Sequence, residues 1–192
     1  ARAVAAVLDA HREALEALSA PDARAAVVAA VDALHPAARV NVFGIGPSAP
    51  LARYAATLLA RGGRAASVLD ATGIGLADAL LGLARGDALL LLAYGRPYRE
   101  ATVALAEADA LGVPTVLVTD DPDGPLARRA RHVVPARRGR ARRVALHGAT
   151  FVVLEAIVLG LAARAGPAAP AALDRLNDLR AALSGGPRLD VG

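Results

Sequence analysis

Apolar residues recur at helical spacing across residues 2–18, with Val4, Leu8, Leu15 and Leu18 marking one face. Ser19-Ala20-Pro21-Asp22 breaks that pattern, and a second helical stretch runs to about Leu34. After His35-Pro36 the chain alternates short apolar runs with amphipathic ones. The runs Val40–Phe43, Ala66–Leu69, Ala88–Leu92, Thr115–Val118 and His132–Val134 predict strands. Ala88–Leu92 is apolar at every position, as a strand covered on both faces must be. Helices are expected over about Pro50–Arg61, Gly75–Ala84, Tyr98–Leu111 (stopped by Gly112), Leu126–Ala130 and Arg143–Ala165, with another after Pro170. The tail from Ser184 is expected to be loose. Strands alternating with helices predict a three-layer α/β/α sandwich on a five-stranded parallel sheet, with extra helices at both ends.

Composition narrows the chemistry. The chain has 192 residues, enough for one domain with helical extensions. It has no Cys, which excludes disulfides, thiolate metal sites and cysteine nucleophiles. The four His (His11, His35, His132, His147) show no metal-ligand spacing, so no metal is expected. All 22 basic residues are Arg, which removes Schiff-base chemistry and a P-loop lysine. With two Phe, three Tyr and no Trp, the chain offers few faces for stacking bases. The apolar runs are read as interrupted before the ~18–20 residues of a membrane span. The start, from Ala1, is read as helix and not as a signal peptide, so a cytoplasmic protein is expected. A chain that begins without Met is expected to be a fragment or processed form.

In a sheet of this kind, ligands sit at the carboxyl ends of the strands where strand order reverses. Gly44–Ser48, Ala93–Glu100 and Thr119–Pro125 are the segments expected to meet there. Gly44-Ile45-Gly46-Pro47-Ser48 joins a strand to a helix, where glycines permit close approach and a helix N-terminus offers N–H groups to an anion. Ser48 is placed either as a plain N-cap or as a phosphate contact. A dinucleotide reading competes: Gly44-x-Gly46-x-x-Ala49 fits that fingerprint loosely, with Asp70 as ribose acid.

The same residues carry a family resemblance. Gly44-x-Gly46-x-Ser48-x-x-x-Ala52 resembles the first motif of sugar isomerase (SIS) phosphosugar-binding domains. Val118-Thr119-Asp120, Gly124-Pro125-Leu126-Ala127 and Ala130-Arg131-His132-Val133-Val134 resemble a later segment of that family, with Gly124 in place of its Ser. The similarity runs from about Ala25 to Ala163, and the leading and closing helices look most like RpiR-type transcriptional regulators. The resemblance implies a flavodoxin-like SIS domain over residues 36–166, a helical extension over 1–35, and a C-terminal helix and tail over 167–192. It further implies a phosphorylated sugar as ligand, a homodimer or homotetramer, no cofactor, and DNA contact only through a helix-turn-helix domain that this chain does not contain. The leading and closing helices would be the dimer surfaces.

The family's second motif, S-x-S-G-x-T-x-E, falls on Ala93-Tyr94-Gly95-Arg96-Pro97-Tyr98-Arg99-Glu100, where only Glu100 is kept. Three hydroxyl donors have become Ala93, Gly95 and Tyr98. Arg96 and Arg99 bring charge instead, and Arg grips phosphate bidentately, so Arg96 and the Tyr98 hydroxyl are expected to replace the lost contacts. The expected ligand-binding set is Gly44, Gly46, Ser48, Ala93, Tyr94, Gly95, Arg96, Tyr98 and Thr119. Asp70 and Thr72 are further candidates for ligand hydroxyls. Glu100 and His147 are the candidates for acid–base catalysis, each with a structural reading as its alternative. Eight arginines between Arg128 and Arg143 form a solvated face, an electropositive rim to the site, or a DNA-phosphate contact. The expected function is phosphosugar sensing. Aldose–ketose isomerisation and dinucleotide binding are the alternatives.

Overall fold

The computed structural model describes residues 2–138 and 146–188. Two helices, α1 (Arg2–Leu18) and α2 (Pro21–Leu34), precede the sheet. The chain then alternates β1 (Val40–Phe43), α3 (Ala49–Arg61), β2 (Ala66–Leu69), α4 (Ile74–Leu80), β3 (Ala88–Leu92), α5 (Arg99–Leu111), β4 (Thr115–Thr119) and β5 (His132–Pro135). Two helices, α6 (Gly148–Ala165) and α7 (Ala168–Ser184), close it. A single 3-10 turn over Gly46–Ser48 links β1 to α3.

All strand pairs are parallel and the order is β2-β1-β3-β4-β5. Side chains alternate across the sheet as strand geometry requires. Val40, Val42, Leu90, Leu92, Val116 and Val118 face one way and pack with α2, α3 and α6. Phe43, Leu89, Leu91 and Leu117 face the other way and pack with α4 and α5. The expected three-layer α/β/α sandwich is therefore the observed one. This order is the flavodoxin type, and its reversal point lies between β1 and β3.

Four sequence expectations are corrected. Leu126–Ala130 forms turns rather than a helix: Arg128 N–H donates to Gly124 O and Ala130 N–H to Leu126 O, and neither bond is propagated. Helix α6 starts at Gly148 and not near Arg143, which lies outside the described residues. That helix is also long and apolar enough, by length and composition, to cross a membrane. Here its buried stripe (Val153, Leu154, Ile157, Leu161) belongs to the core beside α2 and α3. The tail is tied back as far as Arg188, which pairs with Asp174 and, at 3.4 Å, with Asp178; residues 189–192 lie outside the described residues.

Helix α6 packs very closely on both leading helices. A Cβ on Gly160 would stand 2.7 Å from a methyl of Val31 in α2. A Cβ on Gly148 would stand 2.5 Å from the His11 ring in α1. These glycines let the helix axes approach where any larger residue would hold them apart.

Candidate functional site

A cavity of about 410 Å³ opens at the carboxyl ends of β1 and β3, where the strand order reverses. Its walls come from Phe43 and Ile45–Ser48 at the end of β1, from Leu92–Arg96, Tyr98 and Ala101 after β3, and from Arg138 with His147 between β5 and α6, with Thr72 after β2 completing them.

Gly44 makes the first wall possible. A Cβ there would lie 2.6 Å from the Ser48 carbonyl oxygen and 3.1 Å from the Ala52 Cβ. Gly46 has φ +56°, a left-handed conformation that favours glycine, and has open space around it. Ser48 is buried and its hydroxyl makes no capping bond, so the plain N-cap reading does not describe it. The backbone departs from the sequence expectation here. Pro47 and Pro50 have no N–H, Ser48 N–H donates to Ile45 O at 3.1 Å, and Ala49 N–H donates to Gly46 O. The turn thus spends or lacks most of the donors that a helix N-terminus would show an anion. Side chains must do that work.

The second wall supplies them. Arg96 and Tyr98 line the cavity, and neither side chain has a protein partner among the described residues. Ala93, Tyr94 and Gly95 line it as well, and Gly95 has φ +65°. Asp120 pins this loop from behind. One carboxylate oxygen accepts the Gly95 N–H at 2.9 Å and the other accepts from Arg138 Nε at 2.9 Å.

Arg138 lies over the Tyr94 ring, its guanidinium carbon 4.7 Å from the centroid, a cation–π contact. The His147 ring meets the same Tyr94 ring edge-on, with centroids 5.2 Å apart. The Tyr94 hydroxyl bonds to Thr150 Oγ1 at 2.6 Å, and Thr150 Oγ1 bonds to His147 Nδ1 at 3.3 Å. Burial pushes the Tyr94 phenol well above its usual range, so it keeps its proton. Thr150 Oγ1 thus bridges the phenol and the imidazole. His147 Nε2 is buried and has no partner among the described residues.

Burial, and then the Arg138 charge, holds His147 below the usual imidazole value, while Asp120 opposes weakly. The fold therefore favours neutral His147, and the unfolded chain takes up a proton at higher pH. Stability from this source is complete above the ordinary pKa of 6.5 and falls as pH drops through that value. Melting temperature measured from pH 7.5 to 5.5 is expected to decline, and to decline less steeply in His147→Gln.

Other sequence candidates fall elsewhere. Thr72 lines the cavity. Thr119 does not: it is buried, and its hydroxyl accepts the Asp121 N–H at 3.2 Å. Gly44 lies beneath the wall and not on its surface. Glu100 is in the first turn of α5, outside the lining. Asp70, required by the dinucleotide reading, is ion-paired to Arg53 Nε at 2.6 Å, and the strand order is not the dinucleotide-binding one. Of the arginine run, Arg138 reaches the cavity, Arg129 pairs with Asp109 at 3.2 Å, and Arg128 donates to Asp123 O. Arg140, Arg142 and Arg143 lie outside the described residues. Arg138 and Asp120 are the functional pair that the sequence did not single out. The signal that could have found Arg138 was its place just after β5, at the same sheet end as the other walls.

Fold and cavity define a doubly wound α/β domain with its cavity at the topological switch point. The SIS domain model matches residues 33–163, and the chain belongs to that family. Among solved structures, it resembles the sugar isomerase domain of an RpiR transcription factor from Sphaerobacter thermophilus. That match has 28% identity, covers 90% of this chain and 94% of the other, and has a TM-score of 0.78. It shares its fold with Vibrio vulnificus NanR in complex with ManNAc-6P (18% identity, 94% and 67% coverage, TM-score 0.75). An Escherichia coli CFT073 protein in complex with A5P is similar in fold (18% identity, 84% and 89% coverage, TM-score 0.70). No curated protein sequence matches.

Proposed function

We propose that this domain is the phosphosugar-sensing effector domain of an RpiR-type transcriptional regulator, and that it binds its ligand without turning it over. The observation that carries the reading is the cavity itself: cationic and hydroxyl donors converge there, and no carboxylate lines it among the described residues. Ser48, Arg96 and Tyr98 hold the phosphate, with Arg96 and Tyr98 in place of the hydroxyls the family motif would supply. His147 has Nδ1 engaged by Thr150 and Nε2 buried, an arrangement unsuited to abstracting a proton from a sugar carbon. Glu100 stands outside the lining. Two of the structural neighbours were solved with phosphosugars, ManNAc-6P and A5P, and the sugar isomerase domain of the RpiR factor matches over nearly its whole length. The regulator would be cytoplasmic, and would dimerise through the leading and closing helices, where Leu8, Phe151, Val152 and Leu159 are exposed. The divisions at residues 35 and 166 would separate those helices from the ligand-binding unit.

A thermal-shift screen against sugar phosphates and their unphosphorylated parents tests this. A ligand at a hundred times its dissociation constant stabilises by about 2.7 kcal/mol, a readable shift. Arg96→Ala is expected to weaken sugar-phosphate binding by about tenfold or more, the usual worth of a charge-assisted pair. Unchanged affinity in that variant would remove Arg96 from the phosphate site. Sugar-phosphate turnover that is lost on Glu100→Gln would replace sensing with isomerisation.

A further inference from the structure

The polar side chains of the cavity sit in two places. Ser48, Arg96 and Tyr98 serve the phosphate in the reading above. Arg138 and His147 form a separate corner around the Tyr94 ring.

Arg138 gives its Nε to Asp120, which fixes the guanidinium plane and leaves the terminal nitrogens for another partner. One of those nitrogens lies beside Gly95, 3.4 Å from where a Cβ would stand. His147 contributes an Nε2 atom that is buried and has no partner among the described residues, a costly state unless a ligand pairs with it. Asp120 is not part of the lining, and no carboxylate lines the cavity among the described residues. A sugar hydroxyl presents one oxygen to a guanidinium edge and leaves the second N–H unmatched. A carboxylate brings only lone pairs, and it matches a guanidinium edge bidentately.

We infer that the ligand carries a carboxylate as well as a phosphate, and that the corner formed by Arg138 and His147 recognises it: the ligand class is a phosphorylated sugar acid. This rests on the phosphosugar reading and makes it narrower. Arg138 sets the specificity, Asp120 positions Arg138, and Tyr94 with Thr150 holds the His147 ring.

Paired ligands that differ at one carbon test it. Affinities of the whole chain are measured by calorimetry for 6-phosphogluconate against glucose 6-phosphate, and for 4-phosphoerythronate against erythrose 4-phosphate. Inorganic phosphate is the control. The acid member is expected to bind at least tenfold tighter in one pair or both. Arg138→Gln is expected to abolish that preference by lowering the acid's affinity at least tenfold more than the aldose phosphate's, and Arg138→Lys to restore part of it. The unliganded melting temperature of each variant checks that it is folded, and Asp120→Asn gives an independent loss of preference should Arg138→Gln fail to fold. Aldose phosphates that bind as tightly as their acids, or an Arg138→Gln variant that weakens both equally, would overturn the carboxylate corner and leave the phosphate site standing. If neither pair nor phosphate binds, the phosphosugar reading fails and takes the corner with it.

Discussion

Leu91→Ala should destabilise the domain by about 3 kcal/mol, because a fully buried leucine loses both its transfer free energy and its packing. Leu91 is in the central strand β3, between β1 and β4, and it faces α5. Strands pair on both sides of it, so the surrounding backbone has little freedom to collapse into the space. For a chain of this size the loss corresponds to about 6–12 °C in melting temperature. Ligand affinity should change far less, since the side chain is absent from the cavity wall. A drop below ~2 °C would mean that α5 can close over the void.

The second large effect is expected at Gly44, with the opposite balance. In Gly44→Ala the new methyl meets backbone rather than a flexible side chain, at 2.6 Å from the Ser48 carbonyl oxygen. Overpacking of this kind costs about 1–3 kcal/mol. The relief available is to push the Gly46–Ser48 turn outward, and that carries the Ser48 hydroxyl away from the cavity. Sugar-phosphate affinity should therefore fall by more than ~100-fold, a loss of the order of 3 kcal/mol that follows from displaced ligand contacts. Gly46→Ala is the informative comparison: it meets no atoms but must hold a left-handed φ, so it costs about 1–2 kcal/mol without driving the turn outward. Calorimetry on the two variants separates close approach from backbone conformation. Equal affinities in both would mean that the turn does not contact ligand.

Sequence reasoning reached the strands because their signal is local. Ala88–Leu92 is apolar throughout, and Gly112 ends α5 in a left-handed conformation, as helix-stop glycines do. Strand order was not legible from alternation alone; it came through the family resemblance. The two cavity walls at Gly46–Ser48 and Ala93–Tyr98 were found because each lies in a loop directly after a strand. Arg138 was hidden for a physical reason. In a run of eight arginines every residue has the same intrinsic chemistry, and only the exit direction of β5 and the Asp120 carboxylate decide which one turns inward. Thr119 went the other way: a hydroxyl at a strand end looked free for ligand, but its own loop claims it through Asp121. The turn before α3 was read as a source of backbone donors, and two prolines together with two local hydrogen bonds remove most of them.

The close contacts of α6 have a mechanical meaning. The helix is a stiff rod about 27 Å long, from its 18 residues at ~1.5 Å each. His147 and the cavity are at one end of the rod, and Gly148 there touches His11 of α1 with no spare clearance. Two-thirds of the way along, Gly160 seats Val31 of α2 just as tightly. A tilt of α6 therefore has no slack to absorb it, and α1 or α2 must move with the rod. Gly148 and Gly160 thus couple the cavity end of α6 to the two leading helices.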